Sequence, residues 1–570
     1  MKIRPDVAAG LLADIPPRLV KKLDAEPAMA KAWTWSDAAV VTAKGETVTF
    51  AIADGAIAGV TCSCLLSPKC LHVAAVVTAL EVADASPPPE SVVVAAAEPA
   101  EPAAAPVAEA AAAFGVLAGV LATGAESTGA FAQAELMRVI HACRGAGLHR
   151  LAAAQTRVLR SIRDLRADRP EFTLATLAAD LREALVVAHA LARGRGTPAL
   201  VGRARRDYEV VGNLRLRGLF TEAVVARSGY AGAVTYLIDD TGALYTRADV
   251  APGDAGRAAG AYDASAAIGD AVLSHRELSR AGLFLSSATA SADGRLGAGK
   301  DVRAVRASEP ARWDDPPCAA RWQPALADQL ARIAAHDGAP DELRPAGWDL
   351  VFVTGTVFGD ALVVDGAGGA DTALELATAF DHRALRARDN LAVLARGSGV
   401  RVRAIARVRL AAPGRLELLA VGPAPGETRL ALATALHGRL NVHYDELAVP
   451  APAAAPIAPP ARLHVAAAPL DLLEPLRRRV EQIALGGLPT LPQHAVAAVE
   501  RDAAALVERA LRTGAEALRA VATAAHASER AMTGSRRAVD RPAFARAWLR
   551  ATVYESAARR RLAVASWLAP

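Results

Sequence analysis

Aromatic residues are scarce in this chain. Phe, Tyr and Trp make up 4% of 570 residues, although 52% of the chain is hydrophobic. The apolar content is mostly Ala, Leu and Val, a composition that favours long helices with closely packed faces. Cysteine is scarcer still, with five residues, and Cys143 and Cys318 lie far from any other. A secreted disulfide scaffold is excluded, and a reducing compartment, the cytoplasm, is expected. Long apolar runs are missing too. The longest, Ala110 to Ala125, is Gly-rich and falls short of the ~18 to 20 residues that cross a bilayer, so no membrane partner is expected. The apolar run before Asp14, Val7 to Ala13, is only seven residues long, which does not make a signal peptide.

Charge of one sign is also lacking. Lys+Arg number 65 and Asp+Glu 60, a net of +5, too small a surplus to imply nucleic acid by itself. It is unevenly placed. Leu463 to Pro570 holds 16 Lys+Arg against 10 Asp+Glu, while Met1 to Ala85 holds 8 against 9. Recognisable catalytic constellations are absent: there is no G-x-S-x-G, no H-E-x-x-H, and no cluster of histidines with acidic partners. The expectation is a protein that is not an enzyme.

What is present is concentrated in one stretch, Val60 to His72. Cys62, Cys64, Cys70 and His72 are spaced C-x-C-x5-C-x-H. Thiolate and imidazole are the ligands zinc prefers, and a structural site is four-coordinate and tetrahedral. Ser67 and Pro68 turn the loop between the two pairs. Val73 to Leu80 reads as a buried helix, so the ligands are placed on a strand end, a loop and a helix start. Before them, Ala39 to Thr42 and Thr47 to Ile52 read as paired strands around Lys44-Gly45. Trp33, Trp35 and Phe50 offer a small core that a metal would staple.

Over about Trp33 to Leu80 this pattern resembles the SWIM zinc finger. The resemblance implies a β-β-α finger with a structural Zn2+ on Cys62, Cys64, Cys70 and His72. It implies binding to protein or DNA. Some bacterial SWIM proteins look like companions of MoxR-type ATPases and von Willebrand-A proteins. The finger's own balance of charge is slightly acidic, which weakens direct DNA binding by it.

The whole chain reads as an α+β multidomain protein. It has an N-terminal β-β-α zinc finger, helical segments, two β-rich central units and a C-terminal helical bundle. Residues 1–85 are the finger with a helical lead-in. Residues 86–109 are a Pro/Ala linker that tethers the finger without fusing it to a larger core. Residues 110–198 are helical, with Leu136, Val139, Ile140 and Cys143 on one apolar face. Residues 199–309 are β-rich, with a turn at Asp239-Asp240-Thr241-Gly242. Residues 310–345 are a helical connector, and 346–448 a mixed unit in which Ala370 to Phe380 reads as helix. The two β-rich units form either small barrels or one composite sheet. Residues 449–461 are a second Pro/Ala linker, and 462–570 a helical domain.

Other stretches carry weaker signals. Gly294 to Asp301 nearly spells a phosphate loop, but Asp301 stands where Ser or Thr belongs and a strand follows, so a plain turn is expected. Gly366 to Asp371 lacks the third glycine of a dinucleotide loop; a tight turn with Asp371 or Thr372 as helix cap is expected. Arg401, Arg403, Arg407 and Arg409 share one strand face. Arg477 to Arg479 and Arg559 to Arg561 lie on helices, where ion pairs with Glu474 and Glu481 are expected. The leading expectation is a zinc-stapled, protein-binding adaptor. The alternative is nucleic-acid binding through the basic surfaces of the β units and C-terminal helices. A third possibility is an enzyme in the β-rich middle, recognisable by a pocket with converging polar groups.

Overall fold

The computed structural model describes residues 2–82 except position 54 and scattered positions before 28. It also describes 106–452 except 171, 204–206, 227–228, 300, 340–342 and 367–371, then 470–527 and 539–568. Most of both Pro/Ala linkers falls outside the described residues. The chain is a mixed α+β protein of two compact units. One comprises residues 1–91, 207–467 and 567–570, and the other 92–206 and 468–566.

In the first unit the N-terminal sheet has six short strands: β1 (Lys2–Ile3), β2 (Thr34–Trp35), β3 (Ala39–Val41), β4 (Thr47–Ala53), β5 (Ala56–Cys62) and β6 (Glu81–Val82). They lie in the order β2-β3-β4-β5-β1-β6. The hairpin at Lys44-Gly45 forms as the alternation of Val40, Val48 and Phe50 dictates, with Val41 opposite Thr47. Helix α1 (Leu71–Ala79) follows the loop that carries Cys64 and Cys70. The lead-in is not helical throughout: Lys2 and Ile3 form β1, parallel to both β5 and β6.

The next strands, β7 (Glu209–Ala226), β8 (Tyr230–Asp239), β9 (Leu244–Pro252), β10 (Ala281–Ala290) and β11 (Arg303–Pro310), form an antiparallel sheet in the order β11-β10-β7-β8-β9. The turn after Asp239 forms as expected. The Asp239 carboxylate accepts the Thr241 and Ala243 N–H groups at 2.9 and 2.8 Å, and Gly242 takes φ +87°. Gly294 turns with φ +79°, and β11 follows the Gly-rich stretch as a strand.

The third sheet contains β12 (Leu350–Phe358), β13 (Ala361–Val364), β14 (Thr372–Ala377), β15 (Arg401–Val408), β16 (Arg415–Pro423) and β17 (Leu440–Asn441). Its order is β14-β13-β12-β15-β16-β17, and β14 also pairs with β16, which closes five of the strands into a ring. Within the helix expected over Ala370 to Phe380, Thr372 to Ala377 is instead a strand. Ala373, Leu374, Leu376 and Ala377 are buried there, because both neighbours offer ladder partners that outweigh local helix propensity. The helix that Asp371 or Thr372 is expected to cap is therefore not formed, since Thr372 opens β14, and no helix follows the glycines as a dinucleotide loop requires; residues 367–371 themselves lie outside the described residues.

The finger is not an independent bead. Phe284 of β10 and Val305 of β11 belong to the same buried cluster as Val48, Phe50, Ile57 and the α1 residues Val73, Val76 and Val77. Ser308 Oγ donates to the Thr78 carbonyl at 3.0 Å, and Lys31 pairs with Glu309. Burying a side chain of this size contributes ~1.5–3 kcal/mol, so the sheet supplies core that the finger's few aromatic residues do not. The five-stranded sheet and the ring also share a core, in which Leu219, Phe220 and Ile238 meet Leu350, Phe352 and Ile405.

In the second unit, helices Val107–Thr123, Ala130–Gly145, His149–Arg166 and Leu174–Ala192 pack with Glu474–Gly486, Val496–Glu508, Arg512–His526 and most of Arg541–Leu568. Leu136, Val139, Ile140 and Cys143 line the buried face their spacing predicts. The two helical segments that the sequence sets apart, 110–198 and 462–570, contribute to one buried cluster. Trp548, fully buried, donates its indole N–H to the Val480 carbonyl at 3.0 Å.

Candidate metal centre

Local geometry gathers the four ligands. Cys62 is the last residue of β5 and Cys64 lies in the following turn. Cys70 caps α1, its sulfur accepting the Val73 N–H at 3.4 Å, and His72 stands in the first helical turn. Ser67 closes the loop: its hydroxyl accepts the Cys62 N–H at 2.8 Å, and its N–H donates to the Cys64 carbonyl at 3.2 Å. The Ser63 hydroxyl accepts the Thr47 N–H at 2.9 Å and anchors the loop to β4.

The four donor atoms all lie within 4.8 Å of one another. Cys62 Sγ stands 3.7 Å from His72 Nδ1. Around a tetrahedral zinc, with bonds of ~2.3 Å to sulfur and ~2.0 Å to nitrogen, neighbouring donors stand about 3.6–3.8 Å apart. The set could hold a metal ion. Burial pushes the Cys70 thiol up to about 12 and raises Cys62 as well. Burial opposes ionisation of Cys64 too, but the Leu66 N–H and the neighbouring thiols outweigh it and hold that thiol below the ordinary value. The His72 ring meets Trp33 edge-on, with centroids 5.9 Å apart, which fixes its orientation.

The other cysteines are core thiols. Cys143 and Cys318 are fully buried, and burial raises their pKa values to about 11 and about 12.

The basic strand face is neutralised by acids. Arg401 pairs with Asp365, Arg403 with Asp314 at 2.6 Å, and Arg409 with Glu417 at 2.5 Å. Arg407 pairs with Glu222 at 2.6 Å and with Asp349 at 2.7 Å. On the helices, Arg477 meets Glu474 and Glu481, Arg478 and Arg479 both meet Asp502, and Arg559 meets Glu555.

A cleft of about 1060 Å³ opens beside β6, β7 and β11, lined by Arg215, Arg217, Asp240, Asp315 and Arg321 among others. Arg217 engages both Asp240 and Asp315, the latter at 3.5 Å. The Asp240 and Asp315 carboxylates are thus both engaged by one guanidinium. The buried polar groups Glu222, His275 and His443 escaped the sequence reading. No short motif marks them, and their partners lie far along the chain, as with Glu222 and Arg407, 185 positions apart.

No family model matches the chain, and it matches no curated protein and no solved structure. The likeness to a SWIM finger rests on the spacing of Cys62, Cys64, Cys70 and His72 and on their assembly into one cluster.

Proposed function

We propose that the chain is a zinc-binding, non-enzymatic interaction protein whose SWIM-type finger presents a docking surface to a protein partner. The observation that carries this is the Cys3His cluster, whose donor chemistry and 3.7 Å sulfur–nitrogen separation suit structural zinc. The loop between the ligand pairs supports the protein-binding part. Leu65 and Leu66 are 104% and 62% exposed, held outward by a loop whose two ends are metal ligands. Beside the loop an apolar groove of about 420 Å³ runs past Leu11, Phe50, Val60 and Pro68. Apolar side chains fixed in solvent favour a protein contact over a phosphate backbone.

Nucleic-acid binding remains the second reading, but Arg401, Arg403, Arg407 and Arg409 on the strand and Arg477 to Arg479 and Arg559 on the helices are paired with Asp or Glu, which weakens phosphate neutralisation by those faces. The test is capture from native lysate, with and without nuclease, comparing wild type, the Cys62→Ser/Cys70→Ser double variant and the Leu65→Ser/Leu66→Ser double variant. Partners that survive nuclease and vanish with either variant establish the adaptor, and a von Willebrand-A or MoxR-type protein among them would identify its class. A nuclease-sensitive capture unchanged in both variants would overturn it.

A further inference from the structure

The cleft beside β6, β7 and β11 holds two charges that the fold leaves unanswered. Arg215 and Arg321 both line it, and both are half-buried. Neither makes a hydrogen bond or an ion pair among the described residues. Each lays its guanidinium over an aromatic ring instead, Arg215 over Phe284 at 5.5 Å and Arg321 over Phe352 at 5.0 Å. A cation–π contact steadies the charge but supplies no acceptor oxygen to its N–H groups. The nitrogens of both side chains are not sealed from water, so a ligand in the cleft can reach them.

Strand register explains why the cleft is there. Arg215 stands opposite Phe284 and Arg217 opposite Gly282. Two positions apart on β7, the two arginines project from one face of the sheet. Gly282 adds no side chain beside Arg217, and a Cβ built on it would meet the Ala307 Cβ at 3.0 Å. The floor is therefore low where larger residues would fill it. Leu80, Pro310, Pro316 and Ala320 add apolar wall. A volume of about 1060 Å³ has room for an organic ligand and not only for an ion.

The acids that line the cleft do not answer these two arginines. Asp240 and Asp315 are both engaged by Arg217, and Glu309 pairs with Lys31. Glu81 is exposed and pairs with neither arginine. Lys2 is itself engaged. The cleft therefore offers two uncommitted guanidiniums beside apolar wall and fixed carboxylates. That setting favours two singly charged acidic groups carried apart on one carbon skeleton. A compact dianion such as phosphate would set both its charges beside Asp240 and Asp315.

We propose that this cleft binds a small organic dicarboxylate, with one carboxylate on Arg215 and the other on Arg321. A planar guanidinium fork matches the two oxygens of a carboxylate, and such charge-assisted bonds are the strong ones. The cleft is lined both by the finger, through Leu80 and Glu81, and by the five-stranded sheet, so the diacid touches both. The site is separate from the cysteine cluster and from Leu65 and Leu66, and it stands whether or not those dock a partner.

The experiment titrates the full, metal-loaded chain by calorimetry at constant ionic strength with succinate, glutarate and adipate. Butyrate, inorganic phosphate and the peptide acetyl-Glu-Ala-Glu-amide are the comparison ligands. Wild type should bind one diacid, prefer one chain length and gain Tm with its concentration. Butyrate, with a single carboxylate, should bind about 10-fold more weakly, as loss of one charge-assisted contact requires. Arg215→Gln and Arg321→Gln should each weaken the best diacid to the level of butyrate. The Lys variant at each position keeps the charge without the fork and should weaken it less. Arg160→Gln, at an exposed arginine outside the cleft, should change nothing. No saturable binding, a diacid no tighter than butyrate, or a loss in only one of the two Gln variants would overturn the two-point site. Tighter binding of phosphate or of the peptide than of every diacid would overturn the ligand class. Metal content and the Tm without ligand should match wild type in the Lys variants, which separates lost binding from lost fold and from the zinc reading.

Discussion

Arg407 on β15 forks onto Glu222 on β7, with contacts of 2.6 and 3.0 Å, and joins the closed ring to the neighbouring sheet. Tyr236 donates its hydroxyl to the same carboxylate at 3.0 Å, and Asp349 takes the third Arg407 nitrogen at 2.7 Å. Burial alone would raise the Glu222 carboxyl; Arg407 overrides it and holds the pKa below the ordinary value. Breaking the pair leaves a desolvated charge short of one partner. Glu222→Gln should cost about 2–3 kcal/mol in urea unfolding. A double-mutant cycle with Arg407→Met should return a coupling of about 1–3 kcal/mol; a coupling near zero would show that the two elements are joined by the apolar core alone.

Two histidines at the same seam make stability depend on pH. His275 and His443 are buried, and burial lowers both pKa values to about 4. Asp249 and Arg247 face the first, Glu222 and Arg407 the second. The unfolded imidazoles titrate near ~6.5. Between these limits the unfolded chain binds more protons, so stability is full above about pH 6.5 and falls as pH drops towards 4, by up to ~3 kcal/mol per histidine. Glu222, with its folded pKa depressed, adds to the loss at still lower pH. Urea midpoints measured from pH 8 to 4.5 should fall for wild type and fall less for His443→Asn. Identical slopes for the two would remove His443 from the account.

Metal removal should act on the finger first. One zinc per chain should be measured by mass spectrometry, and the Cys62→Ser/Cys70→Ser variant should retain none. Chelation should raise amide exchange across β5, the loop and α1, with a local loss on the order of a few kcal/mol. The β7–β11 sheet should keep its protection, because Leu216, Leu283 and Leu285 lie in a buried cluster of their own. Loss of protection through that whole sheet on chelation would contradict this division.

Leu65 and Leu66 bury little in the folded chain, so replacing both with Ser should change stability by no more than about 0.5 kcal/mol. Partner capture should nevertheless fall. A variant that unfolds, or that captures every partner of wild type, would show that these leucines serve the fold or nothing.

Gly124 tests how the helical unit is joined. It sits at φ +84°, and a Cβ there would meet the backbone of Gly486 at 2.4 Å and the Leu485 carbonyl at 2.6 Å. Gly124→Ala should destabilise by roughly 2–4 kcal/mol through strain and overpacking. A neutral effect in thermal unfolding would mean that the first and last helical segments do not meet here.

The Cys62, Cys64, Cys70 and His72 cluster was legible because it is built at short range: C-x-C and C-x-H spacing, a turn-forming Ser-Pro and a helix start all lie within eleven residues, Cys62 to His72. The same holds for the hairpin at Lys44-Gly45, the turn at Asp239 and the face of Leu136, Val139, Ile140 and Cys143, where local periodicity and turn preference suffice. Thr372 to Ala377 shows the limit. Its composition suits a helix, and only the open edges of β13 and β16 make it a strand. The tertiary structure alone decided that the finger shares a core with Phe284 and Val305, that the ring closes through β14 and β16, and that the two helical segments form one bundle. It also decided that Arg407 would find Glu222. These are pairings between residues scores to hundreds of positions apart. No local propensity encodes them, because the free energy that selects them is gained only when distant surfaces bury one another.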